Sequence, residues 1–254
     1  MEEVRLRRKV LEMGESTSKV FSGESELTAN KEAYAETGEF FADQIRPLLT
    51  DKDATYTIAD IGSYKGELLG DIIAQLPEYR FHTIAVDTNS DALRENTANE
   101  KVVADAGKLP FQDRSIDIVI VRYLLQWNSP EKQQQILKEI ARIVKKRALI
   151  EHAGAPVLDT EDWRRKSDTL FLGAEIPKMK REGHFFASRE EVEQWMTEFS
   201  IPFERTKDRV IENAADIYIE RYALNDGEAA KAKQILGDSN RFQQTDWALF
   251  PESE

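Results

Sequence analysis

The 254-residue chain contains no cysteine. That absence removes thiol nucleophiles, disulfides and cysteine-based zinc or iron–sulfur sites together. Histidine is nearly as scarce: His82, His152 and His184 stand alone, with no metal-ligand spacing between them, so no metal site is expected. No apolar run approaches the length of a membrane span, and the N-terminus, M-E-E-V-R-L-R-R-K-V-L-E, lacks a signal-peptide core, so neither a membrane nor export is expected. Positive charge is also in deficit. A formal net charge of -12 argues against a nucleic-acid partner held by its phosphates, because such binding needs a basic surface. A soluble cytoplasmic protein is the simplest expectation. Its length suits one large domain with embellishments.

Against these absences one stretch stands out, T-I-A-D-I-G-S-Y-K-G-E-L-L at positions 57–69. Thr57 to Ile61 is an apolar, β-branched run of the kind that makes a buried parallel strand. It ends in Asp60, a glycine turn through Gly62, Ser63 and Gly66, and then Leu68, Leu69, Ile72, Ile73 and Leu76 at helical spacing. Strand, glycine turn and helix together point to nucleotide binding, since glycine lets the backbone approach a ligand and a helix start offers free N–H groups. The dinucleotide fingerprint would need a glycine where Asp60 stands, which argues against a nicotinamide-dependent oxidoreductase.

Further strands follow at positions 80–86, 101–105, 116–121 and 148–151, alternating with helices near 90–100 and 131–145. Ser129 and Pro130 read as N-cap and first residue of the last of these helices. Such alternation implies a parallel sheet with a ligand over the strands' carboxyl ends. Asp60, Asp87, Asp105, Arg122 and His152 each fall at or just past such an end, with Thr88 next to Asp87. Asp87 lies 21 positions after Gly66, close to the separation of about 20 at which an acid meets a ribose. Before the first strand, Thr37, Phe41, Ile45 and Leu48 mark a helix over 33–49, and a shorter helix is expected near 4–13.

The motif D-I-G-S-Y-K-G resembles the D-x-G-x-x-x-G first motif of class I S-adenosylmethionine-dependent methyltransferases. The passage D-A-G-K-L-P-F-Q-D-R-S-I-D-I-V is similar to the D-A-x-x-L-P-F-x-D-x-S-F-D-x-V pattern of the group that includes ubiquinone and menaquinone methyltransferases, matching at Asp105, Ala106, Leu109, Pro110, Phe111, Asp113, Ser115 and Asp117. L-K-E-I-A-R-I-V-K-K-R-A-L-I-E-H resembles a third segment, with Lys146, Arg147 and Ala148 in place of its Pro-Gly-Gly. The resemblance implies a Rossmann-like, doubly wound α/β fold: a mostly parallel seven-stranded sheet with an antiparallel C-terminal hairpin, N-terminal helices and a cap. It implies S-adenosylmethionine as cofactor and S-adenosylhomocysteine as product. Asp60, Gly62, Ser63 and Gly66 would face the methionine part, Asp87 and Thr88 the ribose, and Asp105 and Ala106 the adenine. Arg122 would line the cleft near the methionine.

On this reading residues 1–50 form a helical segment covering the cleft, 51–223 the methyltransferase domain with a substrate cap over 153–187, and 224–254 a tail. The hairpin is expected from 203–210 and 217–223. Ser188 and Glu191 form a capping box ahead of the buried stripe Val192, Trp195, Met196 and Phe199. His152 is the expected general base, since imidazole titrates near neutral pH, with Tyr123 second; a histidine packed at a strand end is the competing interpretation. Tyr34, Trp163 and His184 are the expected substrate contacts. The acceptor is expected to be a small molecule, methylated on oxygen, nitrogen or carbon. The alternative is an inactive or partner-dependent cofactor-binding subunit. Oligomeric state stays open, a homo-oligomer included.

Overall fold

The strand β1, Thr55–Ile61, is hydrogen-bonded on both sides and buried from Ile58 onward, which is why it reads as a near-continuous apolar run. The computed structural model describes residues 31–157, 160–172, 175–180, 183–212, 214–237 and 240–251. The expected helix near 4–13 lies outside these. β2 (Arg80–Asp87), β3 (Glu100–Val103), β4 (Ile116–Arg122) and β5 (Val144–Gly154) are parallel to β1, whereas β7 (Arg241–Leu249) runs antiparallel between β5 and β6 (Phe203–Glu212). The order is β3-β2-β1-β4-β5-β7-β6. This is the mostly parallel seven-stranded sheet with an antiparallel end that the sequence suggests.

Alternation along the strands feeds two cores. Ile58, Ile118, Ile120 and Leu149 pack under α1 (Lys31–Ile45) and α2 (Glu67–Ala74), with Phe41, Ile45 and Ile72 buried among them. Ala59, Ile61, Val119, Val121 and Trp247 face α4 (Pro130–Ile143) and α6 (Arg189–Glu198); the remaining helix on this side of the chain order, α3 (Ser90–Glu95), follows β2. Ser129 caps α4, and the Ser188–Glu191 capping box opens α6 as expected. No helix among the described residues is long and apolar enough to cross a membrane.

A third core lies beyond the carboxyl edge of β5. It joins α5 (Thr160–Phe171), which follows β5, to α7 (Ala214–Arg221) and α8 (Asp226–Leu236), which are inserted between β6 and β7. Trp163, Leu170, Phe171, Phe186, Tyr218 and Leu236 fill it. Because Glu212 pairs with Arg241 and Gly154 with Gln243, both insertions leave the sheet at the edge where the parallel strands end.

Three sequence expectations are corrected here. The segment 217–223 is not a strand; most of it belongs to α7, whose Ala214, Ala215 and Tyr218 pack on α5's side of the third core. Its I-Y-I run imitates strand alternation, but tertiary packing overrides that preference. The antiparallel partner of β6 is β7, within the stretch taken for a tail. The polar run Gln243, Gln244, Thr245 and Asp246 hides it, yet all four are buried. Gln243 Nε2 and Thr245 Oγ1 donate to Asp208 Oδ1, at 2.5 and 2.8 Å, and Gln244 Oε1 accepts from Arg209. Finally, the helix expected over 131–145 and the strand expected over 148–151 meet directly: α4 ends at Ile143 and β5 begins at Val144, so Lys146, Arg147 and Ala148 lie within the strand.

Candidate functional site

The glycine turn after β1 is strapped to the end of β2. Gly62 and Ser63 donate their N–H groups to the Val86 carbonyl at 2.8 and 3.0 Å. Asp87 Oδ2 accepts from the Tyr64 N–H at 2.9 Å, and its Oδ1 from the Asn89 N–H at 2.8 Å. Each oxygen keeps acceptor capacity for a hydroxyl. Burial raises the Asp87 pKa, opposed by the N–H groups of Asn89, Tyr64 and Thr88.

Gly66 sits at φ 89° as the N-cap of α2, a conformation that disfavours any side chain. A Cβ there would also stand 2.6 Å from Asn96 Nδ2. Buried Asn96 braces the turn by donating to the Tyr64 carbonyl at 3.3 Å and Ser63 Oγ at 3.4 Å. No motif in the sequence marks Asn96.

Asp60 closes β1 with 3% of its surface exposed. Burial pushes its carboxyl up to about 8; the charges of Asp87 and Glu67 add to this and Arg122 opposes it. Such a group gains most from a cationic ligand, whose charge would restore the ionised form.

Asp105 lies two residues beyond β3, which ends at Val103 rather than at Asp105. Its Oδ1 accepts from the Gly107 N–H at 2.8 Å, and Lys132 Nζ pairs with its Oδ2. Ala106 beside it is half-buried. The loop that follows is clamped by α4. Glu139 accepts from the Leu109 N–H at 2.7 Å, while Arg142 donates to the Phe111 carbonyl and to Asp113 Oδ1, both at 2.7 Å. The E-x-x-R spacing of the third resembling segment therefore shapes the loop after Asp105, a role the sequence alone does not disclose.

Arg122 is the last residue of β4, and its charge acts on Asp60. Its guanidinium donates to Glu151 Oε1 at 2.7 Å, with side chains 7% and 2% exposed, and lies 4.5 Å from the Tyr123 ring centroid. Thr37 of α1 donates to the other Glu151 oxygen at 3.0 Å. Asp246 pairs with Glu151 across β5 and β7, and burial beside Glu151 raises it to about 7. Arg122 is thus committed to a buried charge row beneath α1.

His152 is packed rather than presented. It is 1% exposed, its ring stacks on Trp247, and Nε2 lies 3.1 Å from the Ala187 carbonyl. Burial lowers its pKa to about 4. A sealed imidazole with so low a pKa is a weak and inaccessible base, so the packed-histidine interpretation is the one the geometry favours. Trp163 and His184 belong to the third core: Trp163 meets Phe186 edge-on at 4.8 Å, and His184 Nε2 is 3.4 Å from Asp168 Oδ1. The Tyr34 side chain lies outside the described residues. Tyr123 is half-buried at φ 52°, with its N–H donating to the Glu151 carbonyl. Thr88 is exposed beside Asp87.

Residues 59–150 match the family described as "Methyltransferase domain". No curated protein matches the chain. Among solved structures, the YcgJ protein of Bacillus subtilis is 16% identical with a TM-score of 0.61, over 84% of this chain and 100% of its own. Geranyl diphosphate C-methyltransferase from Streptomyces coelicolor, crystallised with S-adenosylhomocysteine, is 12% identical with a TM-score of 0.56 over 84% of this chain and 76% of its own. A loganic acid methyltransferase with S-adenosylhomocysteine is 13% identical, TM-score 0.57, over 91% and 94%. At these identities the likenesses carry the fold. The family match covers residues 59–150, the span from β1 to β5 that carries the glycine turn, Asp87 and Asp105.

Proposed function

We propose that the protein transfers a methyl group from S-adenosylmethionine to a small-molecule acceptor. The observation that carries this reading is the placement of Asp60, Asp87 and Asp105 at successive strand ends around one glycine turn, each on a short, defined backbone frame. The residues fit the cofactor. Gly66 leaves the turn open, Asp60 suits an ammonium, Asp87 keeps acceptor capacity for ribose hydroxyls, and Asp105 with the Ala106 N–H suits an amino-purine edge. Gly62 and Ser63 set the backbone beside the methionine part, with Thr88 flanking the ribose. When bound, the cofactor supplies an electrophilic sulfonium methyl for in-line displacement.

The chain's own contribution is position and exclusion of water. The third core, built on the edge where the parallel strands end, forms the cap over the acceptor, and α1 closes the adjacent side. Tyr123, at the junction of β4 and the third core, is the side chain best placed to contact the acceptor. Trp163 and His184 support the cap from within. With His152 sealed, alignment rather than base catalysis drives transfer. The expected setting is the cytoplasm.

The test is transfer of labelled methyl from S-adenosylmethionine in a cell extract, fractionated by size. Label in the low-molecular-weight fraction, with matching S-adenosylhomocysteine, is the expected result. Label confined to macromolecules would overturn the acceptor class.

A further inference from the structure

Lys132 is out of place as a helix residue. It is the third residue of α4, whose N-cap is Ser129, and the positive end of a helix dipole disfavours a cation there. Its side chain instead turns to Asp105 and pairs with Oδ2, the other oxygen being held by the Gly107 N–H at 2.8 Å. Gly107 makes room for it: a Cβ at that position would stand 2.6 Å from Lys132 Nζ and 3.0 Å from Cε. The pair is partly open, with side chains 27% and 40% exposed. A helix-start lysine, a glycine that clears its path and a carboxylate of the cofactor site thus converge on one point.

We propose that Lys132 is a specificity-determining residue for the base of the cofactor, and that the Asp105–Lys132 pair accepts a 6-oxopurine as well as a 6-aminopurine. The inference rests on the cofactor reading above. A carboxylate alone offers only acceptors, so it receives a 6-amino group and faces a 6-oxo group with like polarity. An ammonium carries three donors. Asp105 engages one, and another is available to a 6-oxo group at the same edge. Without Lys132 the 6-oxo group would face the Asp105 carboxylate acceptor to acceptor, an arrangement that weakens binding.

The experiment is calorimetric titration of the full chain with S-adenosyl-L-homocysteine and with S-inosyl-L-homocysteine, which differ at C6, amino against oxo, and at N1, an acceptor against an N–H donor. The wild type is expected to bind both, the inosyl compound more weakly because its N1–H meets the Ala106 N–H, and Lys132→Met to widen the ratio by a further tenfold or roughly so through loss of the inosyl compound. Lys132→Arg, which keeps donors, should hold the wild-type ratio, and thermal melting checks that each variant folds. A wild-type ratio beyond about a thousandfold, or a ratio unmoved by Lys132→Met, overturns the role of Lys132 while leaving the cofactor site intact. Absence of S-adenosyl-L-homocysteine binding to the wild type overturns the cofactor reading and this inference with it.

Discussion

Three carboxylates at strand ends behave differently because their surroundings differ. Asp60 is buried and raised to about 8, Asp87 is held by backbone N–H groups, and Asp105 is paired with Lys132. Binding a cationic ligand at Asp60 should therefore release protons near pH 7, because the ligand favours the ionised form. Calorimetry in buffers of different ionisation enthalpy measures this. Proton release in the wild type that vanishes in Asp60→Asn is expected; equal release in both would contradict it. His152 gives a second residue-scale prediction. Its folded pKa, about 4, lies below its ordinary value. Stability present above about 6.5 should thus be lost as pH falls toward about 4, by on the order of 3 kcal/mol. Urea unfolding at pH 7.5 and 4.5 should show a larger drop for the wild type than for His152→Gln; equal drops would contradict the sealed imidazole. At this scale the sequence discloses which acids stand at or just past the strand ends. It does not disclose that the histidine is buried, since His152 follows Glu151 on the same strand and burial depends on Trp247 and Ala187, which arrive from distant segments.

The elements that shape the site are short and tightly tied. Gly66→Ala should cost about 1–3 kcal/mol, because it strains a positive φ and drives a Cβ into Asn96. Thermal melting, with S-adenosylhomocysteine titration beside it, reads both the stability loss and the loss of binding. Arg142→Met should cost about 1–3 kcal/mol through bonds lost to Phe111, Asp113 and Glu139. It should also speed hydrogen exchange at Leu109, whose N–H is held by Glu139. Unchanged exchange would contradict the clamp. Elements with clear periodicity or caps, such as β1, β4, α4 and α6, are legible from residues alone. β7 is not. Gln243, Gln244 and Thr245 bond to Asp208 and Arg209 of β6, a pairing that no local pattern encodes.

At the scale of the molecule, the last strand completes the interior of the sheet, so a chain cut after Leu236 should fail to fold. Circular dichroism of the truncated chain tests this, and a native-like melt would contradict it. The buried row of Arg122, Glu151 and Asp246 ties β4, β5 and β7 together under α1. Asp246, raised to about 7 in the folded chain, subtracts stability as pH rises from its ordinary range toward 7, because the unfolded state ionises first. Asp246→Asn should therefore gain stability over the wild type at pH 8 and little at pH 4.

The proposed function puts the cofactor on the glycine turn and Asp87, and the most direct test is calorimetric titration of S-adenosylhomocysteine into the wild type and Asp87→Ala. Saturable one-site binding that weakens by about 1–3 kcal/mol in the variant is predicted, the scale for hydrogen bonds to a charged group. Binding of equal strength in a folded Asp87→Ala, or none in the wild type, would contradict the account.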